Sequence, residues 1–134
     1  MIIDRSKSIA ELENKYWNEP VYSSYLVRTC HSLREKPLED FTPEDLRIMI
    51  GQQFYLPYLI PIALEFLDTD ILSSGDMYDG DLLCILLGID RVYWRAYPQQ
   101  RIILLKMIEE QWNSLMDEDL IEEITIPVNL IKDD

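Results

Sequence analysis

The chemistry this chain could perform is limited by one histidine and two cysteines. His31 is the sole histidine and follows Cys30 directly, while Cys84 lies in a different segment. Nucleophilic catalysis needs a nucleophile, a base and a group orienting that base, all converging in space. Adjacent helical residues point about 100° apart, so Cys30 and His31 on one helix do not pair. His31 therefore reads as structural or solvent-facing. No Cys-x-x-Cys, His-Glu-x-x-His, Gly-x-Gly-x-x-Gly or phosphate-binding loop occurs. The nearest approach to a metal loop is Asp76-Met77-Tyr78-Asp79-Gly80-Asp81. A calcium loop needs oxygen ligands at positions 1, 3, 5 and 12. Counted from Asp76, the third position is Tyr78 and the twelfth Leu87; counted from Asp79, the fifth is Leu83. Both registers fail, and the segment reads as a turn and helix start. No metal and no cofactor is expected.

Carboxylates are the abundant group. The 134 residues carry 25 Asp and Glu against 12 Lys and Arg, a net charge of −13. Such a balance argues against nucleic acid as partner, because phosphate binding replaces counterions with clustered Lys and Arg. An anionic membrane surface would repel the chain for the same reason. The charge is also unevenly placed. No Lys or Arg occurs between Arg47 and Arg91, where Glu65, Asp68, Asp70, Asp76, Asp79, Asp81 and Asp90 fall. None occurs between Lys106 and Lys132, a stretch holding Asp117, Glu118 and Asp119 among other acids. Two readings are open: a solvated face that maintains solubility, or a negative patch that steers a basic protein partner. On the second, Asp68, Asp70, Asp76, Tyr78 and Asp79 are the expected contact residues, with less weight on Asp117, Glu118 and Asp119. Tryptophans Trp17, Trp94 and Trp112 are expected as core or interface anchors.

These residues must be positioned by helices. Ser8 before Ile9, Leu12 and Tyr16 starts a short one ending before Pro20; Ser23 or Ser24 starts another carrying Leu26, Cys30 and Leu33, which stops before Pro37. Thr42-Pro43-Glu44-Asp45 is the clearest start, with a capping hydroxyl, proline at the first position and two carboxylates at the positive dipole end. Leu46, Met49, Ile50 and Phe54 then repeat at helical spacing. A nearly all-apolar helix begins between Pro57 and Pro61 and reads as central and buried. Asp79-Gly80-Asp81 opens Leu82–Leu87, Asp90 caps Val92–Trp94, and Pro98 opens the longest helix, with Ile102, Leu105, Ile108, Trp112 and Leu115 on one face. Ile124-Thr125-Ile126-Pro127-Val128 has strand composition, demoted by its proline to an edge strand or extended arm. The expectation is an all-α single-domain bundle of about six or seven short helices over 1–134. It has an N-terminal extension at 1–7 and an acidic C-terminal segment and arm at 117–134. The start lacks an apolar signal region, and the longest apolar run is too short to span a membrane. With two unpaired thiols, this makes the cytoplasm the expected compartment.

Four segments also carry a resemblance: Leu-Arg-Glu-Lys-Pro-Leu at 33–38, Glu-Asp-Leu-Arg-Ile-Met-Ile-Gly-Gln-Gln at 44–53, Leu-Pro-Tyr-Leu-Ile-Pro-Ile-Ala-Leu at 56–64 and Tyr-Asp-Gly-Asp-Leu-Leu at 78–83. In combination and order, with Trp94 following, they resemble the immunity proteins of bacterial contact-dependent growth inhibition systems. The resemblance covers about residues 8–115 and excludes the acidic C-terminal segment. It implies a cytoplasmic, non-enzymatic protein that binds and neutralises the C-terminal domain of a cognate toxin, 1:1, with no small-molecule substrate. The toxin is often a nuclease, and covering its active site or substrate-binding surface would neutralise it. It carries no catalytic residues. Arg47 and Gln52 would hold neighbouring elements, and Tyr78–Asp81 would form a turn. The alternatives are an acidic helical adaptor or regulatory subunit of an intracellular complex, and a small carboxylate-based hydrolase or metal enzyme.

Overall fold

Four helix starts fall where a side-chain oxygen takes an otherwise unpaired amide. The computed structural model describes residues 3–16, 24–117 and 120–132. Ser8 caps α1 (Ile9–Glu13) and Ser24 caps α2 (Tyr25–Arg34). Thr42 caps α3 (Pro43–Gly51), with Asp45 returning a bond to the Thr42 amide. Then come α4 (Leu56–Thr69), α5 (Asp81–Leu87), and α6 (Arg91–Ala96) with Asp90 as its cap. The chain continues through α7 (Pro98–Glu110), α8 (Trp112–Asp117) and α9 (Ile121–Lys132). Nine α-helices and one 3-10 turn, Leu38–Asp40, thus occupy the described residues, which contain no strand beyond an isolated Ser8–Pro37 bridge. The fold is all-α, as expected. None of the described helices is long and apolar enough to cross a membrane.

All nine helices contribute to one continuous apolar core. In α4, Leu59, Ile60, Ala63, Leu64 and Leu67 are buried, against α3, α5 and α7. The helix begins at Leu56, ahead of the expected proline boundary. Pro61 lies inside α4, where it forgoes the bond that an amide would make to the Pro57 carbonyl. Arg34 is the large buried cation, 2 % exposed, donating to the Tyr55 hydroxyl at 2.8 Å and the Lys15 carbonyl at 3.0 Å, with Glu13 at 3.6 Å. Those acceptors and the carboxylate offset the cost of removing a guanidinium from water.

Several expectations need correction. The arm at 124–131 is helical. Leu120, Ile124, Val128 and Ile131 are buried on one face, against α5 and α7, and this periodic burial outweighs local strand propensity and Pro127. The helix opened by Pro98 is neither continuous to Leu115 nor the longest, which is α4. It breaks at Gln111, and its buried face is Leu104, Met107 and Ile108, leaving Ile102 exposed. Leu26 and Phe54 are exposed too, and α1 ends at a left-handed Asn14, leaving Tyr16 outside it. Trp17, Pro20 and Ser23 lie outside the described residues.

The break at Gln111 serves the end of α4. Its Oε1 accepts from the Ile71 amide at 2.9 Å, and its Nε2 donates to the Leu67 carbonyl at 3.1 Å. Gln111→Leu leaves both groups without these partners and is expected to cost about 1–3 kcal/mol by urea denaturation. Gln99→Leu, at an exposed position, should be near neutral.

Candidate functional site

Between α4 and α5 the chain crosses the surface as an acidic loop, residues 70–80, and nearly every amide in its second half is bound by a carboxylate. Asp70 opens it, its Oδ1 accepting from the Leu72 amide at 2.9 Å; Ser73 Oγ donates to the Phe66 carbonyl at 3.0 Å. Gly80 N–H closes the loop on the Leu72 carbonyl at 3.1 Å. Within it, Asp81 accepts from the amides of Gly75 at 2.7 Å, Met77 at 3.1 Å and, more weakly, Tyr78 at 3.4 Å. The intervening Asp76 amide donates to Glu44 Oε1 at 3.1 Å. Four successive amides therefore converge on two carboxylates, from α5 and α3. Arg47 bridges them, hydrogen-bonded to Glu44 and 3.9 Å from Asp81.

Two glycines let this happen. A Cβ on Gly75 would stand 3.0 Å from the Glu44 backbone, so the loop can lie flat on α3 only without one. Gly80 has φ +88° and packs against Leu120, which ties the loop to the start of α9. The electrostatics follow from the contacts. The Arg47 guanidinium holds the Glu44 carboxyl below its ordinary range, and Glu44 holds Arg47 above its own. Asp76 is raised, first by repulsion from Glu44. Asp81 is buried, at 1 % exposure, with its charge compensated by amides and Arg47.

The outward face of the loop carries Asp76, Met77, Tyr78 and Asp79, all exposed; Met77 and Tyr78 are 66 % and 47 % exposed. Only the phenol end of Tyr78 is engaged, with Cys84 on α5 and near Glu123 on α9. Burial of that end and these neighbours push its pKa up to about 12. Cys30 and Cys84 are free thiols, and burial raises both, favouring the unreactive protonated form.

The expected acidic surface is thereby divided. Asp76, Tyr78 and Asp79 stand together on the loop, whereas Asp68 is exposed in the last turn of α4, bordering a cavity shared with α7. Asp70 is half committed to its own turn. Asp117 ends α8, and Glu118 and Asp119 lie outside the described residues. Residues that sequence reasoning missed are Met77, visible only once the loop path is known, and Glu44 and Asp81 as loop anchors. Arg47 holds a neighbouring element as expected. Gln52 does not: it is exposed, and Gln53 Oε1 takes the Asp90 amide at 2.9 Å instead. The segment 33–38 is structural as well, through buried Arg34 and the Lys36–Asp45 ion pair at 2.6 Å.

The family model described as CDI immunity proteins matches residues 11–104, from α1 into α7, so that α8 and α9 lie beyond the match. No curated protein and no solved structure matches the chain.

Because Glu44 titrates below its ordinary value of 4.5, its charge stabilises the fold above that value. The contribution is lost as pH falls through the lowered folded value. Asp81→Asn, which turns an acceptor into a donor facing amides, is expected to lose about 2–3 kcal/mol. It should also accelerate hydrogen exchange at the amides of Gly75, Met77 and Tyr78. Asp76→Asn removes a repulsion and should leave exchange slow, with thermal stability equal or higher. In the unmodified protein the Asp76 amide, which Glu44 accepts, should begin to lose its protection against exchange, taken relative to the intrinsic rate at each pH, as pH falls below about 4.5.

Proposed function

This chain belongs to the CDI immunity proteins and neutralises a toxin, and from that premise we propose that it does so by binding alone, through the loop anchored on α3. The supporting observation is the combination of exposed Met77 and Tyr78 with a backbone already tied down at four successive amides. Ordering a loop during association costs affinity, and this loop is ordered beforehand. Large side chains at the centre of a contact slow dissociation, while surrounding charges accelerate encounter. Asp76 and Asp79 supply that charge beside the anchors, and Asp68 and Asp70 extend it toward α4.

The partner that fits is the C-terminal domain of the cognate toxin, bound 1:1 in the cytoplasm by a single domain spanning 1–134. A nuclease is the favoured toxin class. Its phosphate-gripping surface is basic, and a negative loop covering that surface takes the place of the nucleic-acid backbone. The acidic end of α8 and the segment after it, Asp117, Glu118 and Asp119, carry less weight in this reading.

Stopped-flow association and surface-captured dissociation with the toxin domain separate the two contributions. Changing Asp68, Asp70, Asp76 and Asp79 together to Asn is expected to slow association about tenfold at low salt and to flatten its salt dependence. Asn at 70 keeps the acceptor its turn needs. Met77→Ala with Tyr78→Ala should instead raise the dissociation rate by about tenfold or more. Rates indistinguishable from the unmodified protein in both variants would remove this surface.

A further inference from the structure

A second surface, along α4, has a different construction. The segment before α1 accepts backbone bonds from Leu38 and Glu39, and the Arg5 side chain reaches α4 to form an ion pair with Glu65. On either side of this bridge lies a cavity, of about 470 and about 480 Å³, and both are bounded by Arg5 and Glu65. The first has Leu38, Ile62 and Phe66 in its wall and reaches Ser73 at the start of the acidic loop; the second has Leu64, Ile103 and Met107. The charged side chains on the two rims are Glu39, Glu65 and Asp68, with Arg5 as the single cation. The groove is thus apolar at its base and negative at its edge, and one guanidinium of the chain's own already lies across it.

We propose that the groove along α4 is a docking site for a basic, arginine- or lysine-bearing segment of the toxin, whose cation takes Glu65 from Arg5. The charge argues for that occupant: three carboxylates around one replaceable cation favour an incoming base, and the apolar walls accept its methylene stem. Arg5 and Glu65 are 40 % and 61 % exposed in their side chains, and a pair that open holds little of the fold together, so exchange is cheap. The larger groove of about 930 Å³ between α7 and α9 offers no such argument, since Lys106 and Lys132 border it together with Glu109. The proposal rests on toxin binding by this chain; Asp68 borders both surfaces, so the groove is told apart from the loop by Met77→Ala with Tyr78→Ala, which leaves the groove untouched.

Affinity for the toxin domain should be measured by titration calorimetry with the full chain. Glu65→Gln is expected to weaken binding about tenfold. Thr69→Trp, an exposed position bordering the first cavity, fills that cavity and should weaken binding by a similar factor or more. Arg5→Ala removes the competing cation and should tighten binding at least about threefold beyond Lys7→Ala, a neighbouring exposed cation that changes net charge equally. Affinities for Glu65→Gln and Thr69→Trp equal to the unmodified protein would overturn the groove, as would equal effects of Arg5→Ala and Lys7→Ala. A concentration-dependent dimer of the free protein, abolished by Thr69→Trp, would overturn it in favour of a second copy of this chain. Should Thr69→Trp fail to fold, the isosteric Glu65→Gln still decides. Loss of binding in Met77→Ala with Tyr78→Ala, with none in these variants, leaves the loop reading standing alone; the converse pattern leaves the groove alone.

Discussion

A carboxylate with almost no contact with water governs this structure. Burying an ionised group is costly unless hydrogen bonds and an opposite charge replace its hydration, and Asp81 obtains both, from three loop amides and from Arg47 nearby. Satisfying it leaves the loop little choice of path. The chain leaving α4 must turn back so that Gly75, Met77 and Tyr78 point their amides at α5, while the Asp76 amide finds Glu44 on α3. Three elements far apart in sequence are joined at one point, and what the loop shows to solvent is the remainder: Asp76, Met77, Tyr78 and Asp79.

That arrangement divides the acidic residues into two kinds. Glu44 and Asp81 spend their charge inward, on amides and on Arg47, and so contribute to the shape of the loop more than to its field. Asp68, Asp76 and Asp79 are exposed and contribute to the field. An inhibitor benefits from the separation. Inward carboxylates keep the loop in a fixed shape, and outward ones give it a negative field. The Arg5–Glu65 bridge lies between these cases, an ion pair exposed enough to be exchanged for one with a partner.

Local signals read correctly wherever a single side chain settles a helix end. Ser8, Ser24, Thr42 and Asp90 cap the helices that their types and positions indicate, because a cap needs only its own next turn. Reading failed where a distant partner decides. Ile124–Val128 has the composition of a strand, yet Ile124 and Val128 are buried on a helical face, α9, packed against α5 and α7. The apolar stripe from Ile102 to Leu115 is likewise interrupted because the Gln111 amide is drawn to the end of α4.

From the residues themselves came the helical class, the negative charge in two base-free blocks, the lack of the common catalytic and metal-binding motifs, and a resemblance that the family match over 11–104 upholds. All of these depend on residue type, spacing and order, which the chain carries unfolded. The division of the acidic residues did not follow from them. Asp79 and Asp81 are two positions apart and chemically identical, but one is exposed and the other is sealed under a loop. Only the packing of α3 against α5 brings Glu44 and Arg47 to Asp81, and a carboxylate's role is set by the donors that surround it.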